Sequence, residues 1–450
     1  MSYQYSLKKS VINSSIQKLT FFEYFTVLVF IIYAGNSNTF VRAVGINENP
    51  VAYLIPLILS IIIAIRWKVL FANHFFNILI GIGIYWLAIS IKYHEIHVAI
   101  LLNYFTLIFI VYSVVNALKF NLFKIYEYLI YYLAIIGLIF WIIQILLGGD
   151  SLYNLFSKIS VISLYSYEPE NSLNALIYSV QPLENILRNK WIIIPRNCGY
   201  AWEPGAFAVY LCLAIFINLF ISKSDKKSKI RFWILVSALI TTQSTTGFII
   251  FITIVLFYYA NKKLNIILLA LPVIITTIVY IFSLPFMGNK IFDLVNESSN
   301  MDEIVENSIN NDDAVNPQRF VSFMIAYKDF LDNPILGIGG GGGSPKDNWT
   351  AKIGANISII SGIGNLLAQN GIIGFLFFII LSIKSSILLS QHYNYKGKLL
   401  LFIIIIFISI SYYILLLPLI GFFWMFSFFD PIKHTKRLLL ENKSNIIRFD

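Results

Sequence analysis

Long apolar stretches alternate with short polar ones along this chain, and their spacing predicts its elements. Runs of about 15 to 23 apolar residues, enough for a helix to cross a bilayer, fall near 19–35, 51–65, 75–91, 98–118, 125–147 and 204–222. The stretch from Phe232 to Ala260 is long enough for one tilted helix but is interrupted by Thr241-Thr-Gln-Ser-Thr-Thr-Gly247. Further spans fall near 264–284, 357–381, 399–417 and 419–430, the last pair crowded by Pro418. Between them lie two long polar stretches, 148–203 and 285–355.

Charge decides between one pass and two for Phe232–Ala260. Cations gather in short segments between apolar runs: Lys8 and Lys9, Arg66 and Lys68, Lys119 and Lys124, Lys223 to Arg231, Lys262 and Lys263, Lys384 to Lys398, and Lys433 to Arg437. Cytoplasmic loops carry this excess of Lys and Arg. Keeping both the Lys223–Arg231 segment and Lys262–Lys263 inside requires two passes of about 12 to 15 residues each, short at a rise of about 1.5 Å per residue. The polar tip around Gln243 would then lie below the outer surface, buried in protein or facing a wet cavity. Its Ser and Thr hydroxyls either serve that site or bond back to helix carbonyls. The stretch 285–355 is acidic, with Asp293, Glu297, Asp302, Glu303, Glu306, Asp312 and Asp313, the opposite of the inner segments.

The expected architecture is an all-α polytopic membrane protein with about twelve transmembrane helices and two large outer loops. Residues 1–147 carry helices one to five, 148–203 the first loop, 204–284 helices six to nine, 285–355 the second loop, 356–430 helices ten to twelve, and 431–450 an inner tail. Both termini are expected inside. A polar stretch of roughly 18 residues precedes the first run and no small-residue cleavage site follows it, so it reads as a retained helix. Composition agrees: 58% of residues are hydrophobic and 12% charged, and the mean hydropathy is +0.75, too apolar for an ordinary soluble fold. The net charge of +10 is spread over the inner segments, leaving no basic face with interleaved aromatics for nucleic acid. Two cysteines, Cys198 and Cys212, make neither a disulfide framework nor a metal site.

The candidate chemistry centres on Arg196-Asn-Cys-Gly-Tyr-Ala-Trp-Glu-Pro-Gly205. Pro204 suits the first position of a helix, where its missing N–H has no partner. Glu203 then stands at the positive end of the helix dipole, either as a general base or as a helix-start carboxylate. Arg319, in Asn316-Pro-Gln-Arg-Phe320, opens a short amphipathic helix through Phe323, Tyr327 and Phe330 that ends at Asp332-Asn-Pro334 and lies along the membrane surface. Arg196 and Arg319 suit a diphosphate, because a planar guanidinium presents paired donors to phosphate oxygens; each could instead anchor a loop at the headgroups. Arg188 and Lys190 are weaker candidates of the same kind. Gly337-Ile-Gly-Gly-Gly-Gly-Gly343 offers backbone N–H groups as an anion cradle or is a flexible connector; it lacks the Lys-Ser/Thr of a P-loop. Both large loops lack histidine, which excludes Ser/His/Asp and Cys/His catalysis there, and His94 and His97 beside Glu95 read as a solvated turn. No metal or other cofactor is expected.

These pieces together resemble the bacterial O-antigen polymerase and ligase superfamily. The matching parts are Arg196-x-x-Gly199 with Glu203-Pro-Gly205, Thr241-x-x-Ser244-x-x-Gly247, Arg319 followed by Asn333-Pro-x-x-Gly337-x-Gly339, and Asn365 with Gly371-Ile-Ile-Gly374. The resemblance implies a multi-pass enzyme of the bacterial inner membrane, with periplasmic loops, that transfers a glycan from an undecaprenyl-diphosphate-linked oligosaccharide. It implies no nucleotide sugar and no catalytic metal, and as partners the bilayer, a chain-length regulator and a flippase. On this reading Arg196 and Arg319 hold the diphosphate, Glu203 takes the acceptor proton, and Tyr200 and Trp202 offer ring faces to a sugar. Gln243, Gly337, Gly339 and Asn365 complete the substrate-binding set. Ligases of the superfamily carry a histidine about a dozen residues before the final Gly-x-x-Gly; here the region reads Ile359-Ile-Ser-Gly-Ile-Gly-Asn365, which favours a polymerase. Thr245 stands where many relatives carry arginine, which weighs against a phosphate role for that tip. The alternatives are a ligase that delivers the glycan to lipid A-core and a flippase for the same lipid-linked sugar.

Overall fold

The computed structural model describes residues 19–35, 54–148 except 95 and 97, 151–155 except 153, 173–174, 177–180, 194–222, 227–262, 306, 319–339 and 361–429. Outside these lie the expected span 264–284, most of both large loops with Arg188 and Lys190, Gly340–Gly343 and the tail. The described helices are α1 (Phe21–Gly35), α2 (Leu54–Arg66), α3 (Asn73–Tyr93), α4 (Val98–Leu118), α5 (Asn121–Leu147), α6 (Pro204–Phe220), α7 (Ser228–Thr242), α8 (Thr245–Lys262), α9 (Arg319–Asp332), α10 (Gly362–Tyr393), α11 (Leu400–Ser411) and α12 (Pro418–Trp424). Four of them, α3, α4, α5 and α10, are long and apolar enough to cross a membrane, and α1, α2, α6, α8 and α11 are shorter apolar helices. A two-residue antiparallel pair, Leu173–Asn174 with Ser179–Val180, is a small β addition to the all-α expectation.

The central helix is α6. Every one of its residues except Leu219 is buried, as expected of a helix apolar on all sides. It packs against α5, α7 and α8, and two tyrosines tie it to its neighbours: Tyr126 donates to the Tyr210 carbonyl at 3.0 Å and Tyr210 donates to the Ala34 carbonyl at 3.0 Å. Phe232–Ala260 does form two helices, α7 and α8, that turn at Gln243 in the left-handed region (φ 50°). Gly247 lets α8 approach α6 and α7, since a Cβ there would stand 2.7 Å from the Ala208 Cβ and 3.0 Å from Leu239 Cδ1.

Three expectations about helix limits are corrected. The span predicted at 357–381 is α10, which begins after the Ser361 cap, runs on to Tyr393 and is broken at Gly371 (φ 60°, ψ −164°). Lys384 therefore lies inside a helix and not in a loop. Arg231 likewise lies within α7, where its Nε donates to Glu127 Oε1 at 2.8 Å, and Asn218 Nδ2 bonds the same oxygen at 2.7 Å. A buried charge is tolerable only when paired and hydrogen-bonded in this way. The span predicted at 399–417 ends at Ser411, because Tyr412 is extended (φ −142°, ψ 137°), and Pro418 then starts the seven-residue α12.

The break in α10 has a specific complement. Gly371 frees the carbonyls before it and the N–H groups after it, and the segment following α9 takes up both. Ile338 and Gly339 donate to the carbonyls of Ala368 and Gln369, each at 3.0 Å, while Ile372 and Ile373 donate to Pro334 and Ile335 at 2.8 and 3.4 Å. Backbone freed inside a membrane protein must be satisfied by protein, and here a second chain segment does it. Helices α3 and α4 hold the joint from the side: Tyr85 donates to the Leu336 carbonyl at 2.6 Å, Lys92 to Asn333 Oδ1 at 2.6 Å, and Asn370 Nδ2 to the Tyr104 hydroxyl at 2.9 Å.

Candidate functional site

Residues 195–199 are clipped to the tip of the α7–α8 hairpin. Trp141 Nε1 donates to the Pro195 carbonyl at 2.6 Å, and Asn197 bonds Thr241 through its backbone N–H and through its side chain, both at 2.9 Å. Arg196 donates from Nε to the Thr242 carbonyl at 3.1 Å and from Nη2 to the Gln243 carbonyl at 3.3 Å. It thus caps the negative end of α7, a use that neither the diphosphate nor the headgroup reading anticipated. Thr241 and Thr242 bond back to the carbonyls of Ala238 and Leu239 at 2.7 Å each, and Ser244 caps α8 by accepting from the Gly247 N–H at 3.2 Å. The polar tip is therefore mostly structural. Gln243 shares in this: its side chain donates to the Ile194 carbonyl at 3.4 Å.

The exception is Thr246, which faces Arg319. Arg319, the first residue of α9, donates from Nη1 to Thr246 Oγ1 at 3.1 Å and from Nη2 to the Tyr412 hydroxyl at 2.8 Å. Its guanidinium carbon stands 4.4 Å from the centre of the Tyr412 ring, a cation–π distance. The same Nη2 is 3.6 Å from Glu203 Oε1, and the two side chains are 37% and 34% exposed, so both remain reachable. Four segments supply this cluster: Glu203 from the start of α6, Thr246 from α8, Arg319 from α9 and Tyr412 from the end of α11.

Local sequence explains the meeting. Glu203 is extended (φ −148°, ψ 158°) immediately before Pro204, and its carboxylate makes no capping bond to its own helix, so it is available to Arg319. Gly205 is required because a Cβ there would overlap the Tyr412 hydroxyl. Each residue of Glu-Pro-Gly thus serves one site: the carboxylate, the helix start and the space for the phenol. Trp202 is half-buried beside them, its backbone N–H bonded to the Gly35 carbonyl at 2.9 Å and its ring edge-on to Tyr412 at 6.4 Å. Tyr412 carried no recognisable motif in the sequence; only its contacts single it out.

Other expected site residues stand elsewhere. Tyr200 is corrected: it is fully buried, stacked on Tyr210 at 5.6 Å and packed over Gly35, so it offers no ring face to a sugar. The anion cradle is corrected at Gly337 and Gly339, whose N–H groups are spent on the carbonyls of Asn333 and Gln369. These glycines are needed for left-handed backbone (φ 70° and 90°) against the α10 break. Asn365 lies buried in the first turn of α10 and accepts from Gln369 Nε2 at 3.2 Å. Burial pushes the Cys198 thiol well above its usual range, so it is no nucleophile. Among the described residues no group of His, Cys, Asp and Glu is placed to hold a metal.

The comparisons bear on this geometry over one third of the chain. No curated protein and no solved structure matches the sequence. Residues 230–379 match the family model described as O-antigen ligase. That stretch contains the hairpin tip, Arg319, α9 and the first part of α10 with its break at Gly371, while Arg196, Glu203 and Tyr412 lie outside it. Four helices able to span a bilayer and an O-antigen ligase family domain at residues 230–379 together support a multi-pass membrane protein related to the O-antigen polymerase and ligase superfamily.

Proposed function

We propose that the protein is a polymerase of lipid-linked oligosaccharide repeat units, acting at the periplasmic face of the inner membrane. The observation that carries this reading is the reachable pair Arg319 and Glu203, held 3.6 Å apart by segments remote in sequence. In the reaction, a hydroxyl of the acceptor repeat unit attacks the anomeric carbon of the donor. The bond from that carbon to the undecaprenyl diphosphate oxygen breaks, and its electron pair leaves with the diphosphate. Arg319 stabilises the charge that develops there, with Arg196 completing the clamp from the hairpin side. Glu203 takes the acceptor proton, and Trp202 offers its face to a sugar ring. The Ile359–Asn365 region, without the histidine that ligases carry, favours a polymerase over a ligase.

The test is purified protein in lipid nanodiscs with a synthetic undecaprenyl-diphosphate-linked repeat unit. Lengthened product is expected; transfer only when lipid A-core is supplied would assign a ligase, and no transfer to either would defeat the enzyme reading.

The proposed orientation has twelve spans with the cationic segments inside. Its measurement uses single cysteines and a membrane-impermeant reagent in cells with a permeable outer envelope. The native cysteines are both buried and give a quiet background. Ser172→Cys and Asp312→Cys should label and Ser228→Cys, at the basic end of α7, should not. Strong labelling at position 228 would invert the topology.

A further inference from the structure

We propose that Tyr412 is the positioning residue of this site, the group that keeps Arg319 and Glu203 from closing onto one another. The inference rests on the donor-diphosphate reading above and deepens it. Arg319 Nη2 is the atom at issue, for it donates to the Tyr412 hydroxyl at 2.8 Å and stands 3.6 Å from Glu203 Oε1. A charge-assisted bond between guanidinium and carboxylate normally closes to about 2.7–2.9 Å, so the pair is held open. The phenol does this in two ways. Its oxygen accepts from Nη2, and its ring lies under the guanidinium at 4.4 Å.

The hydroxyl cannot retreat from that post. Tyr412 is only 4% exposed, its hydroxyl is pressed against Gly205, and its backbone carbonyl meets the position a Cβ on Gly362 would take. Thr246 holds the other arm of the guanidinium through a neutral hydroxyl that is itself bonded to Ser411 at 2.7 Å. Both described hydrogen bonds from Arg319 therefore go to neutral hydroxyls, and its one described ion-pair partner, Glu203, stands off at 3.6 Å. Without the Tyr412 hydroxyl, Nη2 still has the Glu203 carboxylate 3.6 Å away to turn to. Closure of that ion pair would remove the cation from the diphosphate and the carboxylate from the acceptor in one movement.

Direct binding of undecaprenyl diphosphate to the purified full chain in nanodiscs measures this without requiring turnover. Tyr412→Phe keeps the ring and the packing, and its monodispersity is checked by size exclusion. It should bind about tenfold more weakly than the native protein. Adding Glu203→Gln removes the partner that traps Arg319, so the double variant should return to within about twofold of native binding. A tyrosine that merely packs would give a loss that Glu203→Gln does not repair, and that result overturns the proposal, as does native binding by Tyr412→Phe alone. If the native protein itself fails to bind undecaprenyl diphosphate, the donor-site reading falls and takes this inference with it; the other outcomes bear on Tyr412 only.

Discussion

Arg319→Lys is expected to lower polymer formation by about ten- to a hundredfold with the amount of inserted protein unchanged. Lysine keeps the charge but replaces a planar fork of donors by a point ammonium. The fork reaches Thr246 with one nitrogen and Tyr412 with the other while its face lies on the Tyr412 ring, and no single ammonium position satisfies all three. Loss of one pair of charge-assisted bonds to a diphosphate costs on the order of 1.5 to 3 kcal/mol, which sets the range given. Arg196→Lys separates clamp from cap. Its Nε and Nη2 bond two carbonyls at the end of α7, so as a cap alone it would lose thermal stability while polymer per folded protein held steady. As a clamp it would lose turnover as Arg319→Lys does. Near-normal polymer from both lysine variants would defeat the diphosphate assignment.

Gly371→Ala is expected to abolish recovery of monodisperse protein. The residue's backbone (φ 60°, ψ −164°) belongs to a region essentially reserved for glycine, costing on the order of 1–3 kcal/mol for any other residue. A Cβ would also run into the Ile335 carbonyl and stand 2.6 Å from the Gly337 nitrogen. Relief of that clash would pull the segment after α9 away and open backbone bonds worth roughly 1 kcal/mol each net, and more where water cannot replace them. Gly81→Ala is the contrast. Gly81 lies in α3 with nothing within 4 Å of its would-be Cβ, so alanine there should be tolerated or stabilise by up to about 1 kcal/mol. Size exclusion in detergent, with the melting temperature of whatever is recovered, reads both; normal recovery of Gly371→Ala would show that the break is not held by this joint.

Much of this was legible in the chain because it rests on local rules. Apolar runs placed most of the described helices, Pro204 fixed the start of α6, and the charge at Lys262–Lys263 argued for the hairpin that α7 and α8 form. The amphipathic pattern from Arg319 ended where α9 ends, at Asp332. The failures share a cause: a residue type was read without its neighbour. Tyr200 looked like a sugar platform because aromatics beside a carboxylate often are, yet the ring fills the space over Gly35. Gly337 and Gly339 looked like an anion cradle because exposed glycine N–H groups can be one, but the broken α10 claims those groups first. Lys384 looked like a loop cation until α10 proved longer than its predicted span.

Composition and periodicity were enough to mark the chain as a multi-pass helical membrane protein, and motif order pointed to the O-antigen polymerase and ligase superfamily, because hydrophobic run length and helix-start chemistry act within a few residues of each other. Only the tertiary structure decided which polar groups share a site. Glu203, Thr246, Arg319 and Tyr412 are spread over some two hundred positions, and their meeting depends on α6, α8, α9 and α11 packing so that Gly205 admits a phenol hydroxyl. Tyr412 in particular is one tyrosine among 27, with no spacing to mark it. Its place between a cation and a carboxylate is a fact of packing, and packing is what a single sequence leaves unstated.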